Sequence, residues 1–320
     1  MKKILANDGI SKSAKLILEK NGFNVSTDRV EQDNLASVIN KEKYQVLLVR
    51  SATKVKKELI EKCPNLKIIG RAGVGMDNID ISFAQKKGIK VFNTPSSSTE
   101  SVAELVFAHL FGMVRYLFDS NRQMPLIGES KFKELKKSYS NGKELSKKTL
   151  GIIGFGRIGQ AVAKKAIALG MNIAAYDKNI KEADISLSFF NGAKTSFTIK
   201  CLPMKEVLNK SDFLSLHIPK TTKKAFIGSK EIGMMKDGAG IINTSRGGLI
   251  DEDALMFALE KGKLNYAGLD VYSNEPTPKI HLMMHPKISL SPHIGAATIE
   301  AQERIGIEIS QEIISYFERH

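Results

Sequence analysis

Three side chains in the last third of the chain have the chemistry to move a proton and steady a carbonyl oxygen. They are Arg246 in Ser-Arg-Gly-Gly, Glu275 in Ser-Asn-Glu-Pro and His293 in Ser-Pro-His-Ile-Gly-Ala. Histidine titrates near neutral pH, so His293 could accept a hydroxyl proton as a general base. A carboxylate such as Glu275 on the far ring nitrogen would fix the tautomer and stabilise the protonated ring. Arg246 could hold a carboxylate and polarise a carbonyl on which negative charge develops. Singly, each fits a structural role just as well. As a trio at strand ends, downstream of a cofactor motif, they point to catalysis. The remaining histidines read differently. His281 and His285 have metal-like spacing but no third ligand, so they are ordinary loop residues and no metal is expected. His109 lies in an apolar helix and reads as packed. His217-Ile218-Pro219 closes a strand where a cofactor would lie, and lines it.

The cofactor motif is Gly154-Phe155-Gly156-Arg157-Ile158-Gly159. The apolar run Thr149 to Ile153 before it is too short for a helix and suits a buried parallel strand. Ala161 to Leu169 resumes at helical spacing, and Gly170 is placed to cap that helix. A second strand, Asn172 to Tyr176, ends on Asp177. Gly154 allows the tight turn, Gly156 lets a pyrophosphate approach the backbone, and Gly159 lets helix and strand pack closely. The helix N-terminus offers unpaired N–H groups to the phosphates. Asp177 would accept hydrogen bonds from an adenosine ribose and repel a 2′-phosphate, favouring NAD over NADP. A lone glycine triplet is weak. With strand, helix, second strand and acid in register, it is a dinucleotide site.

The elements that must carry these residues alternate along the chain. In residues 1–98, strand-like runs at Ile4–Ala6, Asn24–Thr27, Tyr44–Val49, Leu66–Gly70 and Lys90–Phe92 are separated by helix-like segments. That is the rhythm of a doubly wound α/β domain. Ligands sit beyond the carboxyl ends of such strands, which is where Arg50-Ser51-Ala52 and Arg71-Ala72-Gly73-Val74-Gly75 fall. The glycine N–H groups form a nest suited to a carboxylate, and both arginines are bidentate donors for carboxylate or phosphate. Asn93 to Thr99 reads as an interdomain crossing. Thr99 and Glu100 open an amphipathic helix over roughly 100–118, and residues 128–148 read as an exposed, lysine-rich arm. After the second half's strands, residues 298–318 form a last helix.

At 320 residues, two domains are the better expectation. The net charge of +14 comes from lysines scattered along the chain. No basic stripe interleaved with aromatics appears, so a basic surface is expected rather than nucleic-acid binding. No uncharged apolar run is long enough to span a bilayer. Cys63 and Cys201 are far apart and lack metal-ligand spacing, which suits a reducing, cytoplasmic location.

Six stretches carry a resemblance over essentially the whole chain. They are Val49 to Val55, Gly70 to Asn78, Gly154 to Gly159, Asn243 to Gly248, Gly268 to Val271 and Pro292 to Ala297. The chain resembles the D-isomer-specific 2-hydroxyacid dehydrogenases, and the first two stretches lean toward their phosphoglycerate branch. The resemblance implies two doubly wound parallel-sheet α/β domains. One is a flavodoxin-like substrate domain (1–98 plus 298–320), the other a Rossmann NAD-binding domain (99–297). It implies Arg246, Glu275 and His293 as the catalytic set. Arg50, Ser51, Ala52, Arg71, Gly73, Val74 and Gly75 would bind substrate, with Arg50 and Arg71 on a phosphate. Val74, Gly154, Gly156, Arg157, Ile158, Gly159, Asp177, His217, Ile218, Pro219, Thr244, Ser245, Arg246, Asp270, His293 and Gly295 would line NAD, with Asp270 on the nicotinamide amide.

The activity so implied is oxidation of 3-phospho-D-glycerate to 3-phosphohydroxypyruvate, toward serine, by a homodimer built on the 100–118 helix. Another D-2-hydroxy acid (glycerate, a hydroxypyruvate/glyoxylate pair or lactate) and an NAD-sensing co-repressor are the alternatives. Two departures stand out. Val74 replaces a Thr common in the phosphoglycerate branch. The chain stops at His320, without the C-terminal domain that binds serine in longer members, so no serine inhibition through such a domain is expected.

Overall fold

The computed structural model describes residues 1–319, and the chain divides into two compact units, Met1–Ser101 with Ala296–His320, and Val102–Gly295.

The first unit runs β1 (Lys2–Ala6), α1 (Lys12–Lys20), β2 (Phe23–Ser26), α2 (Leu35–Glu42), β3 (Val46–Val49), α3 (Lys57–Lys62), β4 (Ile68–Arg71), α4 (Ile81–Lys86) and β5 (Lys90–Asn93). The five strands pair in parallel in the order β2-β1-β3-β4-β5. Such strands are covered on both faces and so read as continuous apolar runs. β3, Val-Leu-Leu-Val, is buried at every residue. Helix starts follow their caps: Ser11 Oγ accepts from Ala14 N at the start of α1, and Asp80 Oδ1 from Phe83 N at the start of α4. The last helix, Ile299–Arg319, packs on α1 so closely that a Cβ at Gly306 would collide with Ser11.

The second unit takes in all but the first turn of α5 (Thr99–Val114), then α6 (Leu117–Ser138), β6 (Thr149–Ile153), α7 (Arg157–Ala168) and β7 (Asn172–Tyr176). Then come β8 (Glu182–Ser188), β9 (Lys194–Lys200), α8 (Met204–Lys210), β10 (Phe213–Leu216), α9 (Ser229–Met234), β11 (Ala239–Asn243), α10 (Glu252–Glu260), β12 (Leu264–Leu269), α11 (Ile280–Met283) and β13 (Ile288–Leu290). Six strands form a parallel sheet in the order β13-β12-β11-β10-β6-β7. Both sheets are the doubly wound type expected.

Two local readings change. The helix expected over 100–118 ends at Val114, because Tyr116 takes a left-handed backbone (φ 54°) and a second helix starts at Leu117. Tyr116 packs at a tilt against Tyr139 and Tyr266, at ring separations of 5.8 and 6.4 Å, and this aromatic packing holds the break. The expected arm at 128–148 is helical as far as Ser138, with Leu135 and Leu145 buried. Between β7 and α8 the chain also forms an antiparallel hairpin, β8–β9, that the sequence reading did not contain. No single helix among the described residues is long and apolar enough to cross a membrane; α5 and α6 pass that test only jointly, across a 57° bend.

Candidate active site

In each sheet the strand order reverses at one point, and there the loops at the carboxyl ends diverge and leave room for a ligand. In the second unit the reversal lies between β6 and β10, and the loop leaving β6 is Gly154-Phe155-Gly156. Gly154 has φ +93°, a left-handed value that glycine adopts without a Cβ penalty. A Cβ on Gly159 would strike the Gly154 carbonyl oxygen, so α7 can approach the strand only with glycine there. Around Gly156 there is open space, and no side chain caps α7, which leaves its first N–H groups facing that space. Asp177 closes the loop: its Oδ2 accepts from Phe155 N and its Oδ1 from Asn179 and Ile180 N, each at 2.8–3.0 Å. Burial by itself would raise this carboxyl, but those three N–H donors outweigh it and hold it below the usual carboxylate range.

The ends of β11, β12 and β13 are neighbours, and they gather the ionisable trio at one edge. His293 Nδ1 lies 2.8 Å from Glu275 Oε2, and Glu275 Oε1 accepts from Tyr272 N at 2.9 Å. With a carboxylate acceptor at Nδ1, the ring proton sits on Nδ1 and Nε2 is left as a bare acceptor. Both side chains are about one-third exposed, open to a substrate. Arg246 follows β11, and its Nη1 donates to Ser245 O at 2.6 Å. The next residue, Gly247, lies directly on the Tyr272 carbonyl, where a Cβ would not fit. The arginine loop is therefore packed against the loop that carries Glu275. Asp270, at the end of β12, is fully buried. Its oxygens accept from Ser291 Oγ (2.6 Å), Ile294 N (2.8 Å) and Gly295 N (2.8 Å).

In the first unit the reversal lies between β1 and β3. A pocket of about 400 Å³ opens there, lined by Asn7, Asp8, Gly9, Thr27, Arg29, Arg50, Ser51 and Ala52. Asp8 anchors the loop after β3: Oδ2 accepts from Arg50 N (2.6 Å) and Thr53 N (3.1 Å), and Oδ1 from Thr53 Oγ1 (2.7 Å). β4 pairs with β3, Val49 opposite Arg71, so the second arginine loop is its neighbour. Arg71 Nη1 donates to Ala72 O at 3.1 Å, folding its guanidinium over Gly73, which has φ +140° and no room for a Cβ. Asn93 Nδ2 donates to Val74 O at 2.6 Å and braces the rest of that loop, through Gly75.

Residues 107–295 match the family described as D-isomer specific 2-hydroxyacid dehydrogenase, NAD binding domain. The chain is 43% identical over 97% of its length, and 97% of the relative's, to a hydroxypyruvate reductase of Thermotoga maritima. The chain belongs to this family. It is an NAD-dependent D-2-hydroxyacid dehydrogenase. It is also 42% identical, over 98% of its length, to a D-3-phosphoglycerate dehydrogenase of Methanocaldococcus jannaschii, of which it spans 57%. Among solved structures, an NAD⁺-bound 3-phosphoglycerate dehydrogenase of Entamoeba histolytica matches with a TM-score of 0.77 and 28% identity, covering 99% of this chain and 95% of that one.

The dehydrogenase's own atoms fit NAD. Besides the open space at Gly156, two polar atoms near the strand ends are shielded from solvent without a partner, Thr244 Oγ1 and His217 Nδ1. His217 Nε2 is 2.9 Å from Ser215 Oγ, and burial pushes the ring down to about 3, so it is neutral. Ser245 Oγ donates to Leu216 O at 2.8 Å, tying the ends of β10 and β11 together beside them. Arg157 is exposed at the first turn of α7, with Ile158 half-buried behind it; Ile218 is half-buried and Pro219 exposed at the end of β10. Val74 lies in the first unit. His285 Nδ1 accepts from Lys287 N at 3.1 Å, and among the described residues no cluster could hold a metal ion. Sequence reasoning missed Arg29. It follows β2 at the same sheet edge as Arg50 and Arg71, so the strand-end rule that found those two would have found it.

Proposed function

We propose that the dehydrogenase oxidises 3-phospho-D-glycerate to 3-phosphohydroxypyruvate. The observation that carries this reading is the pocket at the first sheet's reversal point, where Arg29 and Arg50 offer two guanidinium groups to a polyanionic substituent. Ser51 and Ala52, with the Gly73–Gly75 loop, would receive the substrate carboxylate through backbone N–H groups. Arg71 would add to the anion site. NAD, when bound, accepts the hydride released from C2.

His293 Nε2 takes the hydroxyl proton in the same step, as its geometry with Glu275 leaves that nitrogen free to accept. Glu275 then balances the charge of the imidazolium. Arg246 steadies the carbonyl oxygen as it forms. Gly156 and the uncapped start of α7 would hold the pyrophosphate, and Asp177 the adenosine ribose; Asp270, which the resemblance puts on the nicotinamide amide, is fully buried and bonded to Ser291, Ile294 and Gly295. The likeness to the Thermotoga hydroxypyruvate reductase favours a second reading, an unphosphorylated D-glycerate/hydroxypyruvate pair. A homodimer accompanies either reading, built on the helical stretch expected over 100–118, and α6 exposes Leu117, Leu126 and Phe132.

NADH formation with 3-phosphoglycerate, beside D-glycerate and D-lactate, tests the assignment. Turnover confined to the phosphorylated acid supports the first reading. Preference for glycerate keeps the chemistry and removes the phosphate site. NAD binding without any turnover would leave a sensor.

A further inference from the structure

His109 is buried on α5, and no step of the proposed reaction uses it. Its ring is bound at both nitrogens, Nδ1 at 2.8 Å from Ser289 Oγ and Nε2 at 3.0 Å from Ser291 Oγ. The direction of these bonds follows from the next link. Ser291 Oγ gives its hydrogen to Asp270 Oδ1, so it accepts from the ring, and Nε2 carries the proton. Nδ1 therefore accepts from Ser289. Burial lowers the ring's tendency to protonate, against the pull of Asp270, and keeps it in the neutral state that this chain of bonds requires. The ring also needs Gly268 opposite it: a Cβ there would come within 2.9 Å of His109 Cβ and 3.1 Å of Cγ.

The chain of bonds ends around His293. Asp270 binds Ser291, two residues before it, and the N–H groups of Ile294 and Gly295, just after it. His293 itself sits at φ +55°, which a residue with a Cβ holds only when its surroundings impose it. One buried carboxylate thus brackets the turn, and His109 orients the hydroxyl that ties the turn's leading side to it.

We propose that His109 is a positioning residue: through Ser291 and Asp270 it holds the 291–295 turn in the conformation that presents His293 to the substrate hydroxyl. The inference rests on His293 being the proton acceptor.

Three variants test it, with kcat and KM for the turned-over hydroxy acid measured at saturating NAD and folding followed by thermal unfolding. His109→Leu keeps much of the volume and removes the donor. His109→Gln can still present an N–H to Ser291. Ser291→Ala cuts the same link with little loss of volume and decides the matter if the leucine variant does not fold. Loosening a reacting group costs about tenfold to a hundredfold in rate. The expected result is a kcat loss of that size for Leu and for Ala, KM within about threefold of the parent, and kcat largely restored in Gln. Folded Leu and Ala variants with kcat within about twofold of the parent overturn the inference, as does a Gln variant as slow as Leu. His293→Ala is assayed beside them. If it keeps its turnover, the reading of His293 fails and this inference with it; if it is dead while His109→Leu is fully active, only the positioning role fails.

Discussion

The two sheet edges that carry the proposed chemistry are built to different tolerances. In the first unit Arg50 is fixed through its backbone: Asp8 holds its N–H and Asn78 Nδ2 donates to its carbonyl at 2.8 Å, while the loop tip at Ser51 and Ala52 stays exposed. In the second unit the His293 side chain itself is pinned by Glu275, and its turn is bracketed by a fully buried carboxylate. The contrast follows the physics of the two tasks. Attraction between charges falls slowly with distance, so an arginine recognises an anion from several geometries. Proton transfer needs the acceptor at hydrogen-bonding distance and aligned, so its support must be rigid.

Substitutions at the two edges should therefore separate rate from affinity. His293→Ala should lower kcat about a hundredfold to ten-thousandfold, the range for losing a general base; activity close to the parent would break the contrast at its strongest point. Glu275→Gln keeps the shape but withdraws the charge that balances the imidazolium, and about a tenfold to hundredfold drop in kcat with little change in KM is expected from steady-state kinetics. At the other edge, Arg50→Ala should raise KM for 3-phosphoglycerate about tenfold to a hundredfold, the loss of about 1.5–3 kcal/mol from a charge-assisted pair, and leave kcat nearly unchanged. A fall in kcat instead would show that the first edge, too, sets geometry.

The smallest effect concerns pH. Because backbone donors hold the Asp177 carboxyl below its usual range, it stays charged as pH falls, and its contribution to NAD binding is lost only on titrating through that lowered value. The NAD dissociation constant should then vary little between about pH 8 and pH 5 in the parent, as far as this group controls it. Asp177→Asn should weaken NAD and narrow the gap to NADP; an NAD/NADP preference unchanged from the parent would refute the ribose contact.

Some features were legible because their causes are local. The Gly154–Gly159 spacing states a turn, a close approach and a helix start within six residues, and the buried strands show as short apolar runs. The β8–β9 hairpin also has a local signature: Asp184-Ile185-Ser186-Leu187 alternates, and Asn191-Gly192 marks the turn, with Gly192 at φ +82°. The break at Tyr116 was not legible. No glycine or proline stands there, and the rings that hold it belong to Tyr139, at the other end of α6, and to Tyr266 in the distant β12. His109 read as a packed residue, and packed it is. Its hydroxyl partners, Ser289 and Ser291, come from the opposite end of the unit, and no periodicity in α5 points to them.

By itself, the sequence determined the doubly wound α/β plan and the dinucleotide loop with its acid, and it singled out His293 as the candidate base. Each of these rests on side-chain type and on the pattern of elements that follow one another along the chain. Only the tertiary structure decided that Glu275 meets His293, that Arg29 joins Arg50 at one pocket, and that Asp270 serves as a hub for the turn that carries His293. Those meetings depend on which strands lie side by side. The order of strands in a sheet is settled by packing across the whole unit and leaves no local trace in the chain.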